Sequence, residues 1–158
     1  LLECGASTEV TDHASGTSPL LDAVTLDRTD LVELLLKHGA DPDYLQPEIG
    51  LAPLHHAAME GHEAILRLLL EAGADPNIAD PRGVRPLHLA AIGAHVETMK
   101  LLLEVGADPN LATTIGTLPL AVAQRGSGTE VDEARRRAAV DLLIAHGARA
   151  RLDEEAKD

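Results

Sequence analysis

Aromatic side chains are almost absent from this chain of 158 residues, which has one tyrosine and neither phenylalanine nor tryptophan. Hydrophobic residues still make up 45% of it, so any core must be aliphatic, built from Leu, Ala, Val and Ile. Cysteine occurs once, at Cys4. A lone cysteine excludes an intrachain disulfide framework and suits a reducing, intracellular setting, cytoplasm or nucleus. No apolar run approaches the roughly 20 residues needed to cross a bilayer. The opening LLECGAS lacks the basic lead-in of a secretory signal. It also lacks an initiator methionine, so the chain is expected to be cut from something longer. Basic residues are scarce as well. Thirteen Lys and Arg face 26 Asp and Glu, for a net charge of −13 and a pI near 4.9. That balance speaks against a nonspecific grip on nucleic acid or on an anionic membrane.

What the chain has in abundance is repetition. GADPDYLQPEIGLAPLHHAA at 39–58 returns as GADPNIADPRGVRPLHLAA at 73–91 and as GADPNLATTIGTLPLAVA at 106–123. The glycines of the recurring GA are Gly5, Gly39, Gly73, Gly106 and Gly147, spaced 34, 34, 33 and 41. The prolines of the PL element are Pro19, Pro53, Pro86 and Pro119, spaced 34, 33 and 33. A fixed period of this length means stacked supersecondary units, none of which can bury its apolar face alone.

Residues 85–108 show the unit. Pro86 suits a first helical position, where a missing N–H costs nothing. Leu87, Ala90 and Ala91 then share one face of a short helix. A break near Gly93–Ala94 precedes a second helix that carries Met99, Leu102 and Leu103 inward. Gly106 ends it, as a residue tolerant of left-handed dihedrals should. The stretch that follows, rich in Asp, Pro, Asn and Gly, is a turn.

These elements, recurring in phase, resemble the ankyrin repeat, with its period of 33 and its T-P-L-H-x-A signature. The resemblance covers nearly the whole chain. It divides residues 1–149 into the end of a broken repeat (1–7) and full repeats at about 16–43, 50–77, 83–110 and 116–149, followed by a polar acidic tail at 150–158. It implies an all-α solenoid of antiparallel helix pairs, with hairpin loops projecting as fingers beside a concave face. The signature reads SPLL, APLH, RPLH and LPLA here, so the Thr–His pairing is never complete and slightly weaker local bonding is expected. The fingers after Gly5 and Gly39 hold one residue more than those after Gly73 and Gly106. The last repeat carries eight extra residues, with an insertion at about 127–134. RGSG reads as a turn, Thr129 as an N-cap with Asp132 three residues on, and the last helix as lengthened by about two turns.

Residues that look chemical have simpler readings. His55 and His88 fall on the repeat's own His position, and His62 and His95 on its Gly-His position. His38 and His146 stand beside helix-ending glycines, where an imidazole meets the negative end of the macrodipole. Spread by the period in this way, the histidines do not read as a zinc site. Cys4 has no base or phosphate loop to make it a nucleophile. Asp22 reads as a tolerated position near solvent. Within EARRR, Asp132 and Glu133 each precede an arginine by four residues, the spacing of self-paired helical charges. Asn77 and Asn110 match the family's loop asparagine, which the resemblance associates with hairpin bonding and, in some members, hydroxylation. No catalytic, cofactor or metal site is expected.

Function should then lie where the repeat leaves positions free, which by the resemblance are the finger tips and the ends of the first helices. Leu51 and Val84 are equivalent, as are Met59 and Ile92. Together they form an expected apolar strip across the middle repeats, rimmed by Glu60, Arg82 and Arg85. Tyr44, Glu48 and Ile115 are weaker candidates, Tyr44 because its equivalents Val10, Ile78 and Leu111 point to packing. Charge reversal at Arg82 and Arg85 is expected to weaken partner binding and leave the helical melt unchanged. The expected role is rigid display of a concave surface to another protein, with no nucleic acid or membrane partner. The alternative is a targeting or adaptor segment of a larger enzyme or ligase complex whose catalytic part lies elsewhere.

Overall fold

The protein is described by a computed structural model, which covers residues 17–125 and 133–150. Eight helices occur in those residues, and no strands. In chain order they are α1 (Pro19–Thr25), α2 (Thr29–Lys37), α3 (Pro53–Glu60), α4 (Glu63–Glu71), α5 (Pro86–Ile92), α6 (Val96–Glu104), α7 (Pro119–Arg125) and α8 (Glu133–Ala145). Each odd-numbered helix opens on the proline of its repeat, whose fixed φ fits the first helical turn. The odd helices stack on one another as one layer and the even helices as a second. This is the all-α solenoid the resemblance implies.

The core lies between the layers and is almost wholly aliphatic. Leu87, Ala90, Ala91, Met99, Leu102 and Leu103 are all buried, as their spacing predicts. Small alanines on the odd helices (Ala57, Ala58, Ala90, Ala91) let successive first helices approach closely, and leucines on the even helices fill the space behind them. Such a core needs no aromatic ring.

Two features of the fingers depend on chain length. The hairpins at 80–84 and 113–117 close with the N–H of Asp80 donating to Val84 O and that of Thr113 to Thr117 O, both at 2.9 Å. The hairpin after Gly39 instead closes from Gln46 N–H to Leu51 O at 3.0 Å, one residue longer. The extra residue is absorbed inside the hairpin and leaves the stack in register. The equivalent finger after Gly5 lies outside the described residues.

The described part of the last helix, α8, has 13 residues against nine in α2, α4 and α6, so it is longer by four residues or about one turn within the described residues alone. It begins at Glu133, so Thr129 and the Gly-Ser-Gly of RGSG (126–128) fall outside the described residues, as do Cys4 and Asp132, while Arg125 ends α7.

Candidate functional site

The positions that the repeat leaves free lie on the fingers and at the C-terminal ends of the odd helices. The local frame rests on two histidines. At His55 the ring Nδ1 accepts the backbone N–H of Ala52 at 3.1 Å, which obliges Nε2 to carry the hydrogen that it donates to Val84 O at 3.1 Å. His88 repeats this with Arg85 N–H at 3.2 Å and Thr117 O at 3.1 Å. Each ring thereby ties its own helix start to the finger of the next repeat. Burial pushes both rings below the usual histidine pKa, outweighing the pull of the carbonyls they serve, so both are neutral. The signature's missing threonine therefore matters less than expected, because backbone N–H groups and carbonyls satisfy the ring.

The loop asparagines also reach further than their own hairpins. Asn77 Nδ2 donates to Gly106 O at 3.1 Å, and its Oδ1 accepts Asp108 N–H at 2.8 Å. Asn110 does the same to Gly147 O and Arg149 N–H, at 3.1 and 2.8 Å. His38 and His146 each turn Nδ1 onto the carbonyl four residues back, Leu34 and Leu142, at 2.9 Å. His95 bonds across to Met59 O at 3.0 Å, and His62 Nδ1 lies 3.3 Å from Asp27 Oδ1. His56 is half-buried and its Nε2 has no hydrogen-bond partner; burial lowers its pKa too. Among the described residues no three His, Cys, Asp or Glu side chains converge as metal ligands would.

Against this frame the candidate residues divide. Met59 and Ile92 end α3 and α5 at equivalent positions, and each is 39% exposed. Leu51 and Val84 are half-buried, their carbonyls engaged by Gln46 N–H and by His55. Glu60 is exposed and lines a cleft of about 460 Å³ with Val24, Leu26, Asp27, His56 and His62. Arg82 holds its guanidinium outward, 75% exposed, with Nε on Asp80 Oδ2 at 3.0 Å. Arg85 is committed differently. It is half-buried, and its NH1 donates to Gly83 O and Ala112 O, each at 3.0 Å, bridging two fingers. Reversing its charge would therefore disturb the fold, contrary to the expectation of an unchanged melt. Tyr44 is half-buried and Glu48 exposed, and Ile115 stands 87% exposed at a finger tip. Asp22 is exposed. In EARRR the pairing is partly different from expectation: Glu133 meets Arg136 at 3.2 Å and Arg137 at 4.0 Å.

Sequence reasoning missed Asp80. Its buried carboxylate accepts Arg82 N–H at 2.9 Å and Val84 N–H at 2.7 Å as well as the Arg82 side chain, and so shapes the finger between the second and third repeats. The signal was present in ADPRG, where an aspartate precedes a turn glycine by three residues. Leu26, 71% exposed at the end of α1, also stands at the rim of the cleft.

Stacked helix pairs and laterally bonded fingers define an all-α solenoid repeat protein. The ankyrin-repeat family model (three copies) matches residues 1–80 and 44–113, and the chain belongs to the ankyrin repeat family. Repeats of this family serve in general as protein–protein interaction modules. A stretch of 42 residues, 27% of the chain, is 52% identical to the 2-5A-dependent ribonuclease of Homo sapiens, and spans 6% of that protein's length. Among the described residues no helix is long and apolar enough to cross a membrane.

Proposed function

We propose that this chain is a non-catalytic module that presents its concave face to a protein partner. The contact strip is Met59 and Ile92, flanked by Leu51 and Val84, with Glu60, Arg82 and Arg85 around it. The observation that carries the reading is the exposure of Met59 and Ile92, at 39% each, on helices whose remaining leucines and alanines are almost all buried. Stacking supplies no reason for two large apolar side chains to recur there in solvent. A surface held in place before binding loses little ordering entropy at the interface.

The test is affinity capture followed by mass spectrometry, comparing wild type with a Met59→Glu/Ile92→Glu variant whose circular dichroism melt is intact. A protein recovered by wild type and lost with the variant supports the strip. Equal recovery moves the site elsewhere on the solenoid.

The ribonuclease similarity favours a second reading, in which the repeats are the targeting arm of a longer enzyme. The transcript of the parent gene separates the two. A catalytic domain in the same reading frame supports the targeting arm, and an open reading frame of repeats alone supports the stand-alone adaptor.

A further inference from the structure

Among the described residues, the histidine and asparagine positions at the three junctions between successive full repeats are not bonded alike. Between the second and third repeats, His55 donates to Val84 O and Asn77 both donates to Gly106 O and accepts from Asp108 N–H. Between the third and fourth, His88 and Asn110 make the same three bonds to Thr117, Gly147 and Arg149. Between the first and second, the position of the histidine is taken by Leu21, which is buried and has no hydrogen to give to Leu51 O. The position of the asparagine is taken by Asp43. Its two oxygens lie 3.0 and 3.2 Å from Asp75 N, so the accepting half of the clip is present. The donating half is not, since an ionised carboxylate offers nothing to Gly73 O.

We propose that the junction between the first and second repeats is a hinge built into the solenoid, because Leu21 and Asp43 can make only one of the three bonds that lock each of the other two junctions. Asp43 is an unfavourable place for a charge as well. Burial raises its pKa, against the lowering pull of Asp75 N–H, and the charged groups facing it are the carboxylates of Asp75 and Asp41. The joint does hold the His62–Asp27 contact at 3.3 Å, but Asp27 is largely solvated, where such pairs are weak.

The hinge has a functional consequence. The cleft lined by Val24, Leu26 and Asp27 on one side and by His56, Glu60 and His62 on the other straddles this junction. Rotation about the joint opens or narrows the cleft while the Met59–Ile92 strip, on the locked side, keeps its shape. The inference does not rest on the strip binding a partner.

Spin-label distance distributions test it on the full chain in a Cys4→Ser background. One label pair, Lys37→Cys with Glu71→Cys, spans the proposed hinge. A second, Glu71→Cys with Glu104→Cys, spans the next junction at equivalent exposed positions on α2, α4 and α6. The hinge pair should give the broader distribution, and Asp43→Asn, which restores the missing donor, should narrow it. Asn77→Asp should broaden the second pair. Equal widths in wild type overturn the proposal. So does a hinge pair that Asp43→Asn leaves unchanged, or a second pair that Asn77→Asp leaves unchanged.

Discussion

The ring of His55 and the main-chain carbonyl of Val84 lie 29 positions apart in sequence and 3.1 Å apart in space, joined by a single hydrogen on Nε2. The bond that Nδ1 accepts from Ala52 N–H at 3.1 Å, by contrast, exists only for the neutral ring, since a protonated Nδ1 has no lone pair to offer. The pKa of His55 and of His88 is lowered in the folded chain, chiefly by burial, from an unfolded value near 6.5. The unfolded state therefore binds more protons, and the stability from these rings is fully present above about pH 6.5 and is lost as pH falls from there through the lowered folded value. Urea melts of wild type should show a falling midpoint from pH 7 to pH 5. A His55→Gln/His88→Gln variant should start lower and fall less. A variant falling as steeply as wild type would count against the assignment to these two rings, with the similarly depressed His56 the next residue to test.

Removing one asparagine should uncouple one junction. Asn77→Ala deletes a donor and an acceptor that serve the following repeat, and should lower unfolding free energy by about 1–2 kcal/mol. Asn77→Asp keeps the acceptor only and should fall between wild type and alanine. Chemical denaturation at pH 7 gives the ranking.

Two glycines with nearly the same dihedral should respond differently to alanine. Gly83 and Gly116 have φ of +74° and +77° at equivalent finger positions. A methyl on Gly83 would lie 2.9 Å from Thr114 N and 3.1 Å from the Thr113 Cα, whereas one on Gly116 meets nothing within 4 Å. Both variants bear the left-handed penalty of roughly 1–2 kcal/mol. Only Gly83→Ala must also push the next finger away, which adds about 1–3 kcal/mol. Thermal melts showing equal losses would mean that finger contact is not close in solution.

The two arginines of the finger at 80–85 should separate in the same way. Arg85→Ala strips a donor from Gly83 O and Ala112 O and should cost about 1–3 kcal/mol of stability. Arg82→Ala removes a mostly solvated side chain and should cost less, so that its effect appears in partner binding rather than in the melt. Melts of the two single variants beside a binding titration check both halves.

Much of the fold was legible because it is written as a period. Pro86 placed a helix start, Gly106 a helix end, and the 33-residue return of both placed the stack. The buried set at Leu87, Ala90, Met99 and Leu102 followed from helical spacing alone. The candidate site was harder to see, since the period predicts which positions are free of stacking but not which have acquired other bonds. Arg85 looks as available as Arg82 in sequence, yet its guanidinium is spent on carbonyls of two fingers. Asp80 looks like an ordinary loop acid and is buried. Arg85 depends on the neighbouring finger, 27 residues away at Ala112, and one repeat read alone does not contain that information, whereas the bonds of Asp80 lie within its own finger.

The hydrogen on His88 Nε2 gives the array a direction. The third repeat receives at its Val84 carbonyl and gives from its own imidazole, so it has a socket on one side and a plug on the other. A tandem copy of residues 83–115 would find on each side the group it needs, whereas the first repeat, with Leu21 in the histidine's place, has no plug to offer. A duplicated middle repeat would therefore keep every lateral bond, whereas a duplicated first repeat would add a second junction as sparsely bonded as the one it already makes.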